Sequence, residues 1–289
     1  MKRVMLYPNP TRDINLSCSK RIAEILKEAD IVSTLPDDVP FTGDAVFEVL
    51  PFEEAIRGVE MILCLGGDGS ILRTAIPAAH YEIPILGINI GNMGYMTEMD
   101  ADEISDLPKI IHDGNYEVDE RMMLDVSIRR NKEVIFETTA LNDVGVCKSG
   151  LIKIIDLDVY ADNFFISHYN GDGVVIASPT GSTAYSMSAG GPIIDPLARN
   201  ITLTPICSHS LSDKPIVLSY RRTLYIQAQS TKPGTIVVSA DGCEGIPLEF
   251  GDQVVIRISD LKTRLVRYKN RNFYDVVCSK LSDRRVDGK

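Results

Sequence analysis

No stretch of the 289 residues stays apolar for the ~18 positions that a membrane-spanning helix needs. The opening MKRVMLYPNP lacks the apolar segment of a secretion signal, so a cytoplasmic protein is expected. Cysteine pairs are missing too. Cys18, Cys64, Cys147, Cys207, Cys243 and Cys278 stand apart with no C-x-x-C, which argues against structural zinc and for free thiols in a reducing compartment. Basic charge is short: 30 Lys and Arg against 40 Asp and Glu leave a formal net charge of −10. That balance excludes a broad footprint for nucleic acid or an acidic membrane surface. No G-x-x-x-x-G-K-[ST] occurs, so a P-loop is not the route to phosphate, and neither Ser182 nor Ser186 sits in a G-x-S-x-G elbow. A phosphorylated ligand must then be held locally, by main-chain amides, a metal ion or a few placed side chains. The composition, 44% hydrophobic and 24% charged, is that of a globular protein long enough for one large domain or two ordinary ones.

The first hundred residues alternate strand and helix. RVMLY, MILCL and IPILGINI read as buried strands, while NLSCSKRIAEILKEAD and SILRTAIPAA read as helices, the second capped by Ser70. Strands separated by helices imply a parallel sheet whose ligands sit beyond the carboxyl ends of its strands. Gly66 to Ser70 and Gly87 to Tyr95 lie at two such ends. From Met123 the texture changes to strands: MLDVSI, a turn at RRNKE, VIFETTALND, then IKIIDLDVYADNFFISHYNGDG. In the last run Ile152, Ile154, Asp156, Asp158 and Tyr160 alternate with Lys153, Ile155, Leu157 and Val159. Apolar residues on both faces predict a strand between packed sheets. PIVLSY, TLYIQA, TIVVSA, QVVIRI and RLVRYK add further strands, NFYDVVCSKLSD has helical spacing that could return to the first domain, and RRVDGK should fray. The predicted architecture is an α/β N-terminal domain with a parallel sheet, residues 1–105 joined by 265–289, and a mainly β, sandwich-like domain over 106–264.

Three stretches carry chemistry. In LCLGGDGSIL, strand, Gly-Gly-Asp-Gly and helix follow one another. Bare backbone at Gly66, Gly67 and Gly69 lets phosphate oxygens approach the main chain beside the positive end of a helix. A carboxylate there repels phosphate unless it coordinates a metal or accepts a proton from a nucleophile, and Asp68 is placed for either. GDGVVIASPTGSTAYSMSAGGPIIDP sets Asp172 before a buried strand and hydroxylated residues after it. Ser182, Thr183 and Ser188 could hydrogen-bond a polar ligand while Ala184 and Gly190 leave room for a flat ring. LND places Asn142 and Asp143 side by side, and adjacent strand residues reach one ligand only at a strand end or bulge. Met93, Met96 and Met99 read as core filler. The four histidines are widely separated, and no metal site made of protein ligands alone is expected.

GGDGS, NIGNMGY, LND, GDGVVIASPTGSTAY with SAGGPI, PICSHSL and SADG, in this order, together resemble the NAD kinase family of bacterial type. The match runs from about Gly66 to Gly242, with the tail NFYDVVCSKL. GGDG alone is shared with diacylglycerol and sphingosine kinases and phosphofructokinases; SPTGSTAYSMSAGGP is far more diagnostic. The resemblance implies phosphorylation of the 2′-hydroxyl of the adenosine ribose of NAD by ATP, with polyphosphate an open alternative donor. It makes Asp68 the base, Gly66, Gly67 and Gly69 the lining of the donor phosphates, and Arg73 a basic residue of the ensuing helix. Tyr95 falls beside the adenosine, Asn142 on the adenine and Asp143 on the nicotinamide ribose. Thr183, Ala184, Tyr185 and Ser188 belong to the adenine segment and Asp172 to the nicotinamide end. Mg²⁺ or another divalent cation such as Mn²⁺ is implied with the donor, as is a homo-oligomer, dimer or tetramer. The chain departs from the family twice: Asn-Asp replaces the usual Asn-Glu, shortening the acid by a methylene, and Ser208 stands where proline is common. A lipid kinase would need a basic or amphipathic docking segment that this acidic chain lacks, and a non-catalytic NAD or NADP sensor would have no use for Asp68.

Overall fold

A computed structural model describes residues 2–41, 46–91, 94–150, 154–229, 235–269 and 272–286, with side chains to Ser282. Met93, Ile152, Lys153 and the last three residues of RRVDGK lie outside the described residues. The chain divides into two compact units, Met1–Glu120 with Thr263–Lys289, and Arg121–Lys262. Sequence texture put the division at 105 and 264.

The first unit begins β1 (Lys2–Pro8), α1 (Ser17–Glu28), β2 (Ile31–Pro36), β3 (Glu48–Leu50), α2 (Phe52–Ala55), β4 (Met61–Gly66), α3 (Asp68–His80), β5 (Ile85–Asn89), β6 (Met99–Asp100) and α4 (Leu107–Asp113). The strands pair in the order β3-β2-β1-β4-β5, all parallel. β4 and β5 are wholly buried and, but for Asn89 at the end of β5, apolar, as a parallel sheet covered by helices requires. Ile22, Ala23 and Leu26 of α1 and Leu107, Ile110 and Ile111 of α4 enter one core with Val4, Leu6, Leu63 and Leu65 of the sheet. Burial of α4 there is why residues 106–120 group with this unit. Met96 and Met99 are buried. The expected Ser70 cap is corrected: α3 starts at Asp68 with Gly67 as its N-cap, and Ser70 is a buried residue of its first turn.

The chain continues through β7 (Glu117–Arg130), β8 (Glu133–Ala140), β9 (Asp143–Lys148), β10 (Ile155–Ala161), β11 (Phe164–Gly171), β12 (Gly173–Ala177), α5 (Tyr185–Ser188), β13 (Asn200–Ile206), β14 (Ile216–Ser219), β15 (Leu224–Ala228), β16 (Ile236–Ala240), β17 (Ile246–Pro247) and β18 (Gln253–Arg267), closing with α6 (Phe273–Val286). In the second unit one antiparallel sheet runs β14-β13-β12-β9-β16-β17. Antiparallel strands β11, β10, β15 and the first part of β18 form another. Val144, Val146, Val174 and Ile176 from the former share one core with Leu157, Val159, Ile226 and Val254 from the latter, the two-layer packing of a sandwich. Asn131 (φ 51°) and Lys132 (φ 71°) turn the β7–β8 hairpin, the left-handed pair a two-residue loop favours.

Three expectations change. β10 buries one face only: Ile155, Leu157, Val159 and Ala161 face the core, whereas Asp156, Asp158 and Tyr160 are half-buried and Ile154 is exposed. QVVIRI and RLVRYK form one strand, β18, which runs unbroken through Ser259 and Asp260. RRVDGK does not fray from its start, since α6 continues to Val286. Among the described residues no helix is long and apolar enough to cross a membrane.

Candidate active site

The glycines after β4 do different work. Gly66 has φ +152°, and a Cβ there would lie 2.2 Å from Ser70 Oγ and 3.2 Å from the Asn9 Cβ, so packing alone demands it. Gly67 would bring a Cβ no closer than 4.0 Å to Arg12 Cζ, and Gly69 would meet nothing within 4 Å. Those two leave open space at the first turn of α3, where the Ser70 and Ile71 N–H groups bond back to Gly67 O at 2.9 and 3.3 Å and the N–H groups before them precede the intrahelical ladder. A helix start with bare backbone on its open side suits phosphate oxygens.

Asp68 opens α3, and its half-buried carboxylate is held from across the turn. Oδ2 accepts the Tyr95 N–H at 2.7 Å and Oδ1 the Met96 N–H at 2.9 Å. Gly94 makes this approach possible, because a Cβ there would stand 1.9 Å from Asp68 Oδ1. Two amides fix the plane of the carboxylate while each oxygen keeps a lone pair. Arg73 is exposed and its Nη2 lies 3.5 Å from Ser70 Oγ. Tyr95 lies under Lys280 of α6, whose Nζ is 4.7 Å from the ring centroid. Sequence reasoning missed Arg12. Its Nη1 donates to Ile90 O at 2.9 Å and would be 2.6 Å from a Cβ at Gly91, which places a guanidinium beside Gly67. The signal was PNPTRD, turn residues and a cation at the end of β1.

In the second unit Asp143 is the first residue of β9 and Asn142 precedes it, the strand end at which neighbours can serve one ligand. Both are buried, at 8% and 7% exposure. Asn142 Oδ1 has no hydrogen-bond partner, and leaving such an acceptor empty costs about 1–3 kcal/mol. Burial first, then the nearby Asp241 charge, push the Asp143 carboxyl up to about 7, against a hydrogen bond from the Tyr185 N–H. The Tyr185 phenol reaches the Cys147 thiol, whose titration burial raises to about 11. Tyr185 thus spans the β9 face from Asp143 toward Cys147 and Asp172. Asp172 already has a cation, Lys148 Nζ at 2.5 Å.

Thr183, Ala184, Tyr185 and Ser188 are partly or fully exposed around the short α5. Ser182 is corrected. Its fully buried hydroxyl donates to Ile194 O at 3.2 Å and accepts Ile194 N–H at 3.0 Å, so it clasps the loop and its one proton is spent there. Gly181 has a packing reason, since its Cβ would sit 2.0 Å from Asn142 O. Among the described residues no group of three or more His, Cys, Asp or Glu could hold a metal.

A glycine-rich turn carrying an oriented carboxylate, on an α/β unit joined to a β-sandwich with an unsatisfied amide acceptor, fits a nucleotide-dependent phosphotransferase. Residues 4–116 match the family model for the ATP-NAD kinase N-terminal domain and residues 141–268 that for the ATP-NAD kinase C-terminal domain. The NAD kinase of Natranaerobius thermophilus is 36% identical over 289 residues, covering 98% of either chain. That of Geobacter sulfurreducens is 38% identical over 247 residues, covering 86% of this chain and 81% of its own. A crystal structure of an NAD kinase from Archaeoglobus fulgidus in complex with ATP aligns with a TM-score of 0.71 at 26% identity, covering 98% and 99% of the two chains. Yeast NADH kinase complexed with NADH aligns with a TM-score of 0.82 at 23% identity, covering 95% and 85%, which speaks to fold. The chain belongs to the NAD kinase family.

Proposed function

We propose that the chain transfers the terminal phosphoryl group of ATP to the 2′-hydroxyl of the adenosine ribose of NAD, with Asp68 as the base. The 2′-oxygen forms a bond to the γ-phosphorus, the bridging oxygen leaves with ADP, and the hydroxyl proton passes to an Asp68 oxygen. The observation that carries this reading is the Asp68 carboxylate held by the Tyr95 and Met96 amides beside the open flanks of Gly67 and Gly69. Phosphoryl transfer asks a protein mainly for positioning and charge stabilisation. The α3 start and Gly67 and Gly69 supply the positioning for the donor phosphates, with Arg73 and Arg12 as nearby cations. Asn142, with its empty Oδ1, serves the adenine, and Asp143 the nicotinamide ribose. Tyr95, Thr183, Ala184, Tyr185 and Ser188 contribute to the nucleotide surface, and Asp172 to the nicotinamide end.

A divalent cation fits this donor set. Asp68 offers a lone pair on each oxygen, no three-ligand protein cluster competes among the described residues, and Mg²⁺ is commonly held by one or two carboxylates with substrate phosphates. When bound, it neutralises donor charge.

Purified protein with NAD, ATP and Mg²⁺ should yield NADP and ADP in equal amounts, read by a dehydrogenase strictly dependent on NADP. No NADP from folded protein with either ATP or polyphosphate would refute the reading. NADP with polyphosphate alone would replace only the donor.

A further inference from the structure

The LND turn has all its backbone groups committed. Asp241 Oδ2 accepts Leu141 N–H at 2.7 Å, and Oδ1 accepts Asn142 N–H at 2.7 Å and Asp143 N–H at 3.1 Å. On the carbonyl side, Leu141 O takes the Ser178 hydroxyl at 2.5 Å, Asn142 O the Ser178 N–H at 2.8 Å, and Asp143 O the Asp241 N–H at 2.9 Å. Three successive amides converging on one anion form a nest, and here the anion belongs to the chain. Asp241 reaches it by an unusual route: it follows β16 with φ +49°, and Gly242 follows at +74°. β16 and β9 pair with Ala240 opposite Val144, so that left-handed step swings the side chain back over the start of β9.

We propose that Asp241 is the positioning residue of nucleotide recognition, holding Asn142 and Asp143 in the geometry in which they meet NAD. This rests on the NAD kinase reading above. A merely structural clamp would not need its carboxylate beside a buried acid, Asp143. Asp143 lies close enough for the Asp241 charge to oppose its ionisation, and that arrangement costs stability which a neutral clamp would spare. Nor does the turn spend the groups it presents: its six backbone bonds leave Asn142 Oδ1 buried, empty and fixed. The same turn seats the hydroxylated segment, because Ser178 Oγ also accepts the Gly181 N–H at 3.2 Å and the Tyr185 N–H bonds Asp143. Moving Asp241 would therefore disturb Asn142, Asp143 and Tyr185 together.

Equilibrium NAD binding by the full chain, with KM and kcat for NAD and ATP, tests this in Asp241→Asn. Asparagine offers one acceptor oxygen where the carboxylate offers two, and turns an N–H₂ toward an amide donor. The Kd and KM for NAD should rise about tenfold while the KM for ATP stays within about twofold, a tenfold change being that of one charged hydrogen bond. Asp252→Asn, which alters a carboxylate clamp of the same unit on Arg130 and the Glu249 N–H and leaves the three amides on Asp241, should change NAD affinity by less than about threefold. Wild-type NAD affinity in Asp241→Asn, or an equal loss in Asp252→Asn, would overturn the assignment. Should Asp241→Asn fail to fold, hydrogen exchange on the ligand-free wild type decides. Leu141, Asn142 and Asp143 amides as protected as those of the β9 ladder support the clamp, and loop-like exchange refutes it. A wild type that binds no NAD defeats the kinase reading instead, and exchange still reports on the turn.

Discussion

Both units hold an acid with backbone amides, and they put the device to opposite uses. In the α/β unit, amides of one loop orient Asp68 from across the turn, and the held carboxylate is the group we propose for the chemistry. In the sandwich, the amides belong to the presenting turn itself, and the held carboxylate of Asp241 is scaffold. The surroundings follow from those uses. Asp68 is half-buried beside glycines with open space, whereas Asp143 is buried with the half-buried Asp241 beside it, and desolvation raises both carboxyls above the usual range. A base must reach water and substrate; a recognition turn gains by being dry and fixed.

The comparison predicts its largest effect at Asp68. Asp68→Asn keeps the size and loses the proton acceptor, so kcat should fall ~100-fold or more while calorimetric NAD affinity is unchanged; a kcat near wild type would end the base role. Next come the glycines, which should split. Gly66→Ala forces a Cβ against Ser70 at positive φ and should cost about 1–3 kcal/mol in denaturant unfolding. Gly69→Ala meets no atom within 4 Å, should add about 0.5–1 kcal/mol of stability as a helix residue, and yet should raise the KM for ATP.

In the sandwich, Asn142→Ala should weaken NAD binding about tenfold without lowering thermal stability, since it also removes a buried acceptor with no partner. A drop in melting temperature with unchanged affinity would make Asn142 structural. The last effect is on pH. Asp143 releases its proton near 3.8 when unfolded and at about 7 when folded. Between those values the folded state holds more protons, so stability is greatest below about 4 and declines as pH rises toward 7. Asp241, raised in the same direction by burial, adds to that slope. Chemical denaturation from pH 4 to 8 should therefore show a shallower decline in Asp143→Asn than in wild type, and identical slopes would mean that Asp143 does not carry the proton.

Periodicity made the parallel unit legible, because β4 is an unbroken apolar run ended by glycine and β5 is apolar up to Asn89. β2 and β13 escaped notice because Ser33 and Thr34, and Thr202 and Thr204, interrupt their apolar pattern, although all four are buried. Among site residues, Asp68, Asn142 and Asp143 stand in recognisable motifs. Ser182 looked the same as its neighbours and proved to be a loop clasp, since only the fold brings Ile194 to it. Asp241 was visible within SADG without a role, being 98 positions from the nearest amide it holds.

Local chemistry, then, was decided by the sequence: where bare backbone stands, where a helix starts behind it, and which carboxylate lies between. Tertiary structure decided which of those groups remain available. A hydroxyl or carboxylate is spent or free according to what the fold carries within 3 Å of it, and hydrogen bonds between residues a hundred positions apart leave no periodic trace in a chain.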